Sequence, residues 1–462
     1  MSKSVFDFTA DEARAYLKEK GKVRLAVLHM SHEGQMIRTG GVGAVVQGHL
    51  STTPLLAEAL AKRGVEVTMH AAQPISKAGC EGWNPKALAY VEEQTAKTGG
   101  RFQPLLNGTD GTVRWGDVEN WKLSSAAGAA WALGLAAKHD AAIVYSHSLP
   151  FAFSPIYGLR AAEAFGADVF FVQGEHGHYE KPELAEADDP WKLAYEKIVP
   201  QYREFPHVRI GYIGEYIREL AARDYDLGED DFVPMRNGID PFQPVFRERT
   251  DEEKRAKLSE FGIPLDRPVI LSWGRPEVWK GLHWVVEAGA ELADRAETVV
   301  ITAPEWDFLA EANAKTGNKV RVIFKFDPEL VNSLLQWPNT KVAALVSKGE
   351  PFGLTPLEAR LNARAGGPVV VVSDTGGMAP QVAPGEDGFH VRTGDVADMV
   401  RVFGEVLDLD DDAHARLRRR ALATVLDRYM WPTNILETWS AVCPLVAAVA
   451  AEVLEEVKVT EV

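Results

Sequence analysis

Short, almost uninterrupted apolar runs alternate with helical segments along this chain of 462 residues. The clearest runs cover residues 23–28 (VRLAVL), 141–145, 268–273, 341–346 and 368–373. A strand that is apolar on both faces is typical of a parallel sheet covered by helices on both sides. The pattern therefore predicts α/β domains, whose ligands bind beyond the carboxyl ends of the strands.

The length and one turn-rich segment predict two domains, because 462 residues exceed a single ordinary core. Residues 232–246 (FVPMRNGIDPFQPVF) combine Asn-Gly and proline turn signals, which are typical of a link between domains. We predict a first domain over residues 1–238, a second over 239–430 and a last segment over 431–462. Residues 73–122 are less regular, and we interpret them as an insertion or a pair of hairpins.

Residues 346–359 (VSKGEPFGLTPLEA) place Glu350 and Glu358 on either side of a turn that leads into a helix. Gly353 lets the backbone approach a ligand, and Pro356 suits a first helical turn. Open α/β sheets bind nucleotides at such a strand, loop and helix start, where the amide groups can hold phosphate. The two acids would then hold hydroxyl groups, one of them on a ribose. The alternative is that both only charge a helix start.

The formal net charge of −16 argues against a nucleic acid or an anionic membrane as the main partner. A negatively charged nucleotide therefore needs a local concentration of positive charge. Arg275 and Lys280 are the only Arg or Lys between Arg267 and Arg295, and they follow a predicted strand. One guanidinium fork and one ammonium group can neutralise a diphosphate. Taken alone, the pair also fits a solvated helix start.

A glycine-rich loop follows the first predicted strand and contains Gly40, Gly41 and Gly43. It does not satisfy the dinucleotide pattern G-x-G-x-x-G, because Val46 stands where the third glycine belongs. A nicotinamide enzyme is therefore the weakest of the functions considered. A plain tight turn before a helix remains an alternative for the loop.

Histidines follow two further predicted strands of the first domain. His147 comes after residues 141–145, and His176 and His178 come after residues 167–173, beside Glu175. Polar groups are costly to hold at a buried strand end without partners, which favours a functional role over a structural one.

The spacing of Glu175, His176 and His178 matches no standard zinc pattern, and H-E-x-x-H is absent. We therefore predict no metal and no bound cofactor. Cys80 and Cys443 lie far apart and fit reduced thiols in a cytoplasmic protein. We see no signal peptide and no integral membrane segment, and the sequence leaves the oligomeric state open.

The stretch from Glu350 to Ala359 (EPFGLTPLEA) resembles the E-x7-E signature of retaining glycosyltransferases with the GT-B fold, glycosyltransferase family 4. The resemblance implies two Rossmann-like, doubly wound domains facing across a cleft, with the last helices crossing back to the first domain. It implies transfer of a hexosyl group from a nucleoside diphosphate sugar to a hydroxyl of a small-molecule or saccharide acceptor. It also implies retention of the anomeric configuration without a metal.

The resemblance also suggests roles for single residues. The expected catalytic residues are His176, Glu350, Arg275 and Lys280. The expected donor-binding residues are Gly40, Gly41, Gly43, Arg275, Lys280, Glu350, Phe352, Gly353, Leu354, Thr355 and Glu358. The expected acceptor-binding residues are His147 and His178, and His178 is also the alternative to His176 as the active-site histidine. The chain departs from the family at Gln381, which follows Pro380 where the family often has Glu.

Four other functions fit the same sequence. Nucleotide-sugar epimerases, phosphorylases and pseudo-glycosyltransferases that join cyclitols share the architecture that the resemblance implies. A non-catalytic nucleotide-sugar-binding protein would use the same charged residues for binding alone.

Overall fold

The protein is represented by a computed structural model. It describes residues 3–32, 36–38, 41–75, 83–106, 117–147, 149–176, 194–195 and 197–458. Contacts between these residues divide the chain into two compact units. The first unit runs to Gly238 and resumes at Trp431, and the second runs from Ile239 to Met430.

The described residues of the first unit form a parallel sheet of seven strands in the order β5-β4-β1-β6-β7-β8-β9. Its strands are β1 (Val23–Met30), β4 (Val65–Ile75), β5 (Phe102–Leu106), β6 (Ala141–Ser146), β7 (Val169–Glu175), β8 (Val208–Tyr212) and β9 (Phe232–Pro234). A small antiparallel pair, β2 (Ile37–Arg38) and β3 (Gly41–Val42), stands apart from this sheet. The central strands are apolar on both faces because helices cover both sides of the sheet.

Helices alternate with these strands, as the sequence pattern predicts. They are α1 (Ala10–Lys20), α2 (Ala44–Ala61), α3 (Pro85–Ala96), α4 (Val118–Ala136), α5 (Ser154–Phe165) and α6 (Glu215–Asp224). Side chains cap several of the helix starts. Asp117 accepts hydrogen bonds from two backbone N–H groups of α4, and Asn84 does the same for α3.

The C-terminal helices pack within the first unit. They are α14 (Trp431–Val442), α15 (Pro444–Ala447) and α16 (Ala450–Val457). The indole of Trp431 lies so close to α2 that a Cβ on Gly48 would come within 2.1 Å of it. Lys62 at the end of α2 lies 2.6 Å from a carboxylate oxygen of Glu456 on α16.

The second unit has a parallel sheet of six strands among its described residues, in the order β12-β11-β10-β13-β14-β15. These strands are β10 (Val269–Trp273), β11 (Glu297–Ile301), β12 (Arg321–Ile323), β13 (Thr340–Leu345), β14 (Val369–Ser373) and β15 (Phe389–Val391). Its helices are α7 (Asp251–Glu260), α8 (Leu282–Glu291), α9 (Asp307–Lys315), α10 (Pro328–Leu335), α11 (Thr355–Asn362), α12 (Val396–Leu407) and α13 (Asp411–Arg428). Apolar cores fill both faces of the sheet.

The hairpins predicted within residues 73–122 are wrong for the described part of that stretch. Strand β4 continues to Ile75, and α3 leads into β5, which pairs in parallel with β4. The segment therefore adds another βαβ unit to the sheet. Trp121 is fully buried in α4 and Trp83 packs edge-on against Phe102, so these aromatic side chains serve the core.

A search of the described helices for an apolar segment long enough to span a bilayer finds none.

Candidate active site

A cavity of about 460 Å³ lies at the carboxyl ends of two neighbouring strands of the second unit, β10 and β13. Because the strands are parallel, the loops that follow them meet at one edge of the sheet. Polar side chains reach the cavity from the loop after β10, from the loop after β13 and from the first turn of α11. They are Arg275, Lys280, Ser347, Thr355 and Glu358.

Lys280 lies at the end of a short 3₁₀ helix, and its ammonium group donates a hydrogen bond to Oε2 of Glu350. The side chains are only 18% and 17% exposed, respectively. The ammonium nitrogen also lies 4.2 Å from the centre of the Trp279 ring, a distance that allows a cation–π contact. The cation is therefore held in place on two sides.

The loops that carry Lys280 and Glu350 pack directly against each other. The backbone N–H of Lys348 donates to the carbonyl of Trp279 at 2.7 Å. Gly281 has φ +69, and a Cβ there would lie 1.9 Å from the carbonyl oxygen of Val346. Only glycine satisfies both the left-handed backbone and this close approach.

Arg275 lines the same cavity but extends into solvent. Its side chain is 69% exposed, and one guanidinium nitrogen lies 3.1 Å from a carboxylate oxygen of Glu277. An exposed ion pair of this kind contributes little stability. The guanidinium group is therefore free to turn towards an anionic ligand in the cavity.

Glu358 stands in the first turn of α11, where its backbone N–H donates to the carbonyl of Leu354 at 3.0 Å. The side chain is partly buried, and desolvation by the surrounding protein raises the pKa of its carboxyl group to about 7. Near neutral pH the group is therefore divided between a form that only accepts hydrogen bonds and a form that also donates one.

A second glycine loop supports the backbone of Glu350. The N–H of Gly377 donates to the carbonyl of Glu350 at 2.6 Å. A Cβ on Gly377 would lie 2.0 Å from the carbonyl oxygen of Pro351. Gly353 has φ +78, and a Cβ there would come within 3.0 Å of the side chains of both Met378 and Glu350. The backbone around Glu350 therefore depends on glycine at these positions.

Gln381, where the chain departs from the resembled family, hydrogen-bonds to the backbone that follows Glu350 and to the second glycine loop. Its carboxamide nitrogen lies 2.6 Å from the carbonyl oxygen of Phe352, 3.0 Å from that of Gly353 and 3.1 Å from that of Gly377. The side chain is only 2% exposed. A donor is therefore required at this position, and glutamine supplies one where a carboxylate cannot.

The remaining expected donor residues of the second unit have different surroundings. Phe352 is buried, and its ring centre lies 6.1 Å from that of Tyr429, so its side chain belongs to the core. Gly353 and Leu354 shape the backbone that leads into α11, and Thr355 lines the cavity.

In the first unit, His147 follows β6 and His176 follows β7, and their ring centres lie 5.6 Å apart. His147 is fully buried, and His176 is partly buried. Desolvation lowers the pKa of His176 to about 4, and it lowers the pKa of His147 well below its ordinary value, helped by the nearby imidazoles of His49 and His176. Both imidazoles are therefore neutral at physiological pH.

The expected glycine loop is only partly described. Gly41 begins β3 with φ +120, and Gly43 is the residue that precedes α2. Gly40 and His178 lie outside the described residues. The predictions for these two residues stay predictions.

Two further histidines, His29 and His49, adjoin His147 and were missed by the sequence analysis. Nδ1 of His29 lies 2.9 Å from Nε2 of His147, and the ring centre of His49 lies 5.0 Å from that of His147. His29 lies opposite Tyr145 on the neighbouring strand, and His147 comes two residues after Tyr145. The side chains of His29, Tyr145 and His147 therefore share one face of the sheet. Strand register was the signal that could have found His29, whereas His49 comes from a helix distant in sequence.

Comparison with known families finds a match within the second unit. Residues 253–423 match the family described as "Glycosyl transferases group 1". A D-inositol 3-phosphate glycosyltransferase from Nocardia farcinica is 29% identical over 275 residues, which cover 56% of this chain and 58% of that protein. A granule-bound starch synthase 1 from Zea mays is 27% identical, over 52% of this chain and 42% of that protein. The chain thus spans about half the length of these curated relatives.

Solved structures share the fold over most of the chain. A glycosyltransferase from Rickettsia africae superposes with a TM-score of 0.63 and 15% identity, over 94% of this chain and 99% of that one. A sucrose-phosphate synthase from Thermosynechococcus elongatus gives 0.62 and 17% identity, over 92% and 100%. An Anabaena protein solved in complex with UDP and glucose gives 0.60 and 15% identity, over 90% and 99%. The predicted fold class, two Rossmann-like α/β domains of the GT-B type, is confirmed.

Proposed function

We propose that this protein is a retaining glycosyltransferase of family 4. It would move a hexosyl group from a nucleoside diphosphate sugar to a hydroxyl of a small-molecule or saccharide acceptor. One observation carries the proposal: Arg275, Lys280 and Glu358 line one cavity, and Glu350 hydrogen-bonds to Lys280 beside it. These residues come from positions up to 83 apart in sequence, yet they meet at the edge of the sheet where such folds bind nucleotides.

The comparisons support the same reading. The family match covers the part of the chain that contains this cavity. The relatives are named as glycosyltransferases or synthases of sugar products, and the Anabaena structure contains UDP and glucose.

The side chains suit the proposed steps. As the bond to the donor sugar breaks, negative charge grows on the leaving diphosphate, and Lys280 and Arg275 would stabilise it without a metal. Glu358 would accept hydrogen bonds from the ribose hydroxyls. Glu350 would hold the hydroxyls of the transferred sugar, which keeps its anomeric carbon in place during the reaction.

His176 would contribute a neutral imidazole that can accept and donate one hydrogen bond. Such a group can orient a sugar hydroxyl without adding charge. Gly41 and Gly43 keep their expected binding roles as proposals, whereas the fully buried side chain of His147 does not suit the contact with the acceptor that was expected of it. We also propose a cytoplasmic location, which the free thiol of Cys443 supports.

The proposal is tested in two stages with the full chain. A thermal-shift screen over UDP-, GDP- and ADP-linked sugars identifies the donor, because a ligand that binds only the native state raises the unfolding temperature. A radiolabelled form of that donor then measures transfer and hydrolysis. NMR of the product then shows whether its anomeric configuration is the same as that of the donor, as retention requires.

Lys280→Met is expected to lower turnover by about 10²–10³-fold, the effect of removing one preorganised charge-stabilising group. Lys315→Met, an exposed lysine at the end of α9, is the matched control and should leave turnover unchanged. If no nucleotide sugar shifts the unfolding temperature and none is turned over, the proposed function is wrong. Donor binding without any product would instead support the non-catalytic binding protein.

A further inference from the structure

Three histidines of the first unit converge from three separate elements: His29 from β1, His49 from α2 and His147 from the end of β6. One ring nitrogen of each lies within 4.8 Å of the corresponding nitrogens of the other two, and all three side chains are at most 1% exposed. We propose that these imidazoles bind a single transition-metal ion, with Zn²⁺ as the preferred ion.

The hydrogen bonding of the cluster supports a ligand there. His29 and His147 hydrogen-bond to each other through Nδ1 and Nε2, at 2.9 Å. Among the described residues, none offers a hydrogen bond to Nε2 of His29, to Nδ1 of His147 or to either ring nitrogen of His49. Unpaired polar atoms in a protein interior are destabilising, and native structures usually satisfy them. An ion would take one lone pair from His49, whose ring nitrogens have no partner among the described residues, and one from each of the two nitrogens that His29 and His147 join in their hydrogen bond.

The chemistry of the donors selects the class of ion. Imidazole suits Zn²⁺, Cu²⁺ and Ni²⁺, whereas Mg²⁺ and Ca²⁺ prefer oxygen ligands. Three protein ligands with a water or hydroxide in the fourth position form a known type of zinc coordination. If the water in the fourth position releases a proton to solvent, the resulting hydroxide would offset part of the charge of the ion, because the three imidazoles are neutral.

Binding requires only small movements and no loss of protons. A Zn–N distance of about 2.0–2.1 Å places tetrahedral ligand nitrogens about 3.4 Å apart, so the most distant ring moves inward by about 1 Å or more. Both nitrogens of the His29–His147 hydrogen bond must present lone pairs to the ion. The shared proton therefore moves to the outer nitrogen of the ring that carries it. Three coordination bonds form, one hydrogen bond breaks and no proton leaves the protein.

Neighbouring aromatic rings already restrain the proposed ligands. The ring of Tyr145 stacks on those of His29 and His147, with centres 5.0 and 5.6 Å away, and Trp431 lies 5.1 Å from His49. The ion would tie α2, which begins after Gly43, to the sheet and would thereby position the glycine loop. This inference does not depend on glycosyl transfer or on the donor cavity.

The test uses the full chain without a histidine tag, stripped with a chelator and then reconstituted with Zn²⁺ or Co²⁺. Mass spectrometry of the metal content should give about one equivalent per chain after gel filtration, as expected for one site. The Co²⁺ form should show visible d–d absorption, and X-ray absorption of the Zn²⁺ form should show nitrogen neighbours with imidazole outer shells.

His29→Gln and His49→Gln should each weaken Zn²⁺ binding by about 100-fold or more, since each removes a ligand. His70→Gln is the matched control, because His70 is a buried histidine of the same unit whose Nδ1 accepts a hydrogen bond from the N–H of Arg101. Circular dichroism checks that each variant is folded. The spectra of the wild-type protein decide the matter if a variant is not.

Retention of about one equivalent of Zn²⁺ that both variants lose and the control keeps would support the site. The proposal is overturned if the wild-type protein retains no Zn²⁺, or if its X-ray absorption lacks imidazole neighbours. A buried water molecule would then account for the unpaired nitrogens.

Discussion

The ammonium group of Lys280 hydrogen-bonds to the carboxylate of Glu350, and both side chains are more than four-fifths buried. The cation proposed for the diphosphate and the acid proposed for the sugar therefore neutralise each other. Under the proposed function, an entering diphosphate would compete with Glu350 for Lys280. Its binding would release the carboxylate to accept hydrogen bonds from sugar hydroxyls, and binding of the two parts of the donor would then be coupled.

The coupling predicts that Glu350→Gln binds a free nucleoside diphosphate more tightly than the wild-type protein does. Removing a competing carboxylate worth about 1 kcal/mol tightens binding about fivefold. Titration calorimetry with the diphosphate of the donor's base measures the effect. The same variant should lose its preference for the intact nucleotide sugar over the diphosphate.

Glu277→Gln is the control for this titration, because it removes the acid beside the solvent-exposed Arg275. It should change the affinity by less than about twofold, since exposed ion pairs are weak. Unchanged or weaker diphosphate binding by the Glu350 variant would show that the two residues do not compete with the ligand.

Gln381→Glu is expected to make stability depend strongly on pH. The new carboxyl group would face three backbone carbonyl oxygens that now accept hydrogen bonds from the amide. Ionisation there is unfavourable, so the folded-state pKa rises above the unfolded value of about 4.3. Stability is then greatest below that value and falls as the pH rises through the folded-state pKa. We expect a loss of about 2–3 kcal/mol at pH 8 and a small loss near pH 4.5.

Thermal unfolding at several pH values measures this difference. Gln201→Glu is the control, because the Gln201 amide is exposed and donates to a single carbonyl, that of Lys197, at 2.8 Å. A Gln381 variant whose stability follows the wild-type pH profile would mean that the carboxamide does not act as the donor.

Local sequence patterns predicted the fold because a parallel strand that is buried on both faces is apolar at nearly every position. The predicted strand over residues 23–28 is two residues shorter than β1, and the predicted strand over 141–145 is one residue shorter than β6. Strand β4 continues to Ile75 although the polar His70 and Gln73 and the imino acid Pro74 interrupt its apolar run. Gln73 is buried there because its amide bonds the backbone of Ile37, a contact that no local pattern records.

The candidate site was predictable only in part for the same reason. The motif identifies Glu350 and Glu358 because they share one turn, and the scarcity of basic residues identifies Lys280. That Lys280 pairs with Glu350 depends on two loops 70 residues apart. The burial of His29 and His49 beside His147 depends on sheet register and helix packing, which short spacing rules do not capture.

Glu358→Gln should remove a pH-dependent destabilisation. Burial raises the folded-state pKa of Glu358 to about 7, above its ordinary value of 4.5. The unfolded chain releases this proton at a lower pH than the folded protein does. The wild-type protein therefore loses stability as the pH rises from about 4.5 to about 7. The variant has no proton to lose. Its unfolding temperature should exceed that of the wild type at pH 8 and approach it near pH 4.5.

Glu311→Gln, at an exposed position on α9, is the control and should shift the unfolding temperature equally at both pH values. If the unfolding temperatures of the Glu358 variant and the wild type differ by the same amount at every pH, burial does not raise the pKa of the Glu358 carboxyl group.

Gly377→Ala should disrupt the loop behind Glu350. The added Cβ would lie 2.0 Å from the carbonyl oxygen of Pro351 and 2.6 Å from Cα of Phe352, so backbone must move. The movement also breaks the 2.6 Å hydrogen bond from Gly377 to the carbonyl of Glu350. We expect a loss of about 2–4 kcal/mol in stability and weaker binding of the nucleotide sugar.

Gly134→Ala is the matched control, because a Cβ at this exposed position in α4 meets no atom of the described residues within 4 Å. That change should stabilise the protein by about 0.5–1 kcal/mol through the lower backbone entropy of alanine. Thermal unfolding of both variants measures the contrast, and a Gly377 variant as stable as the wild type would show that the two loops are not in close contact.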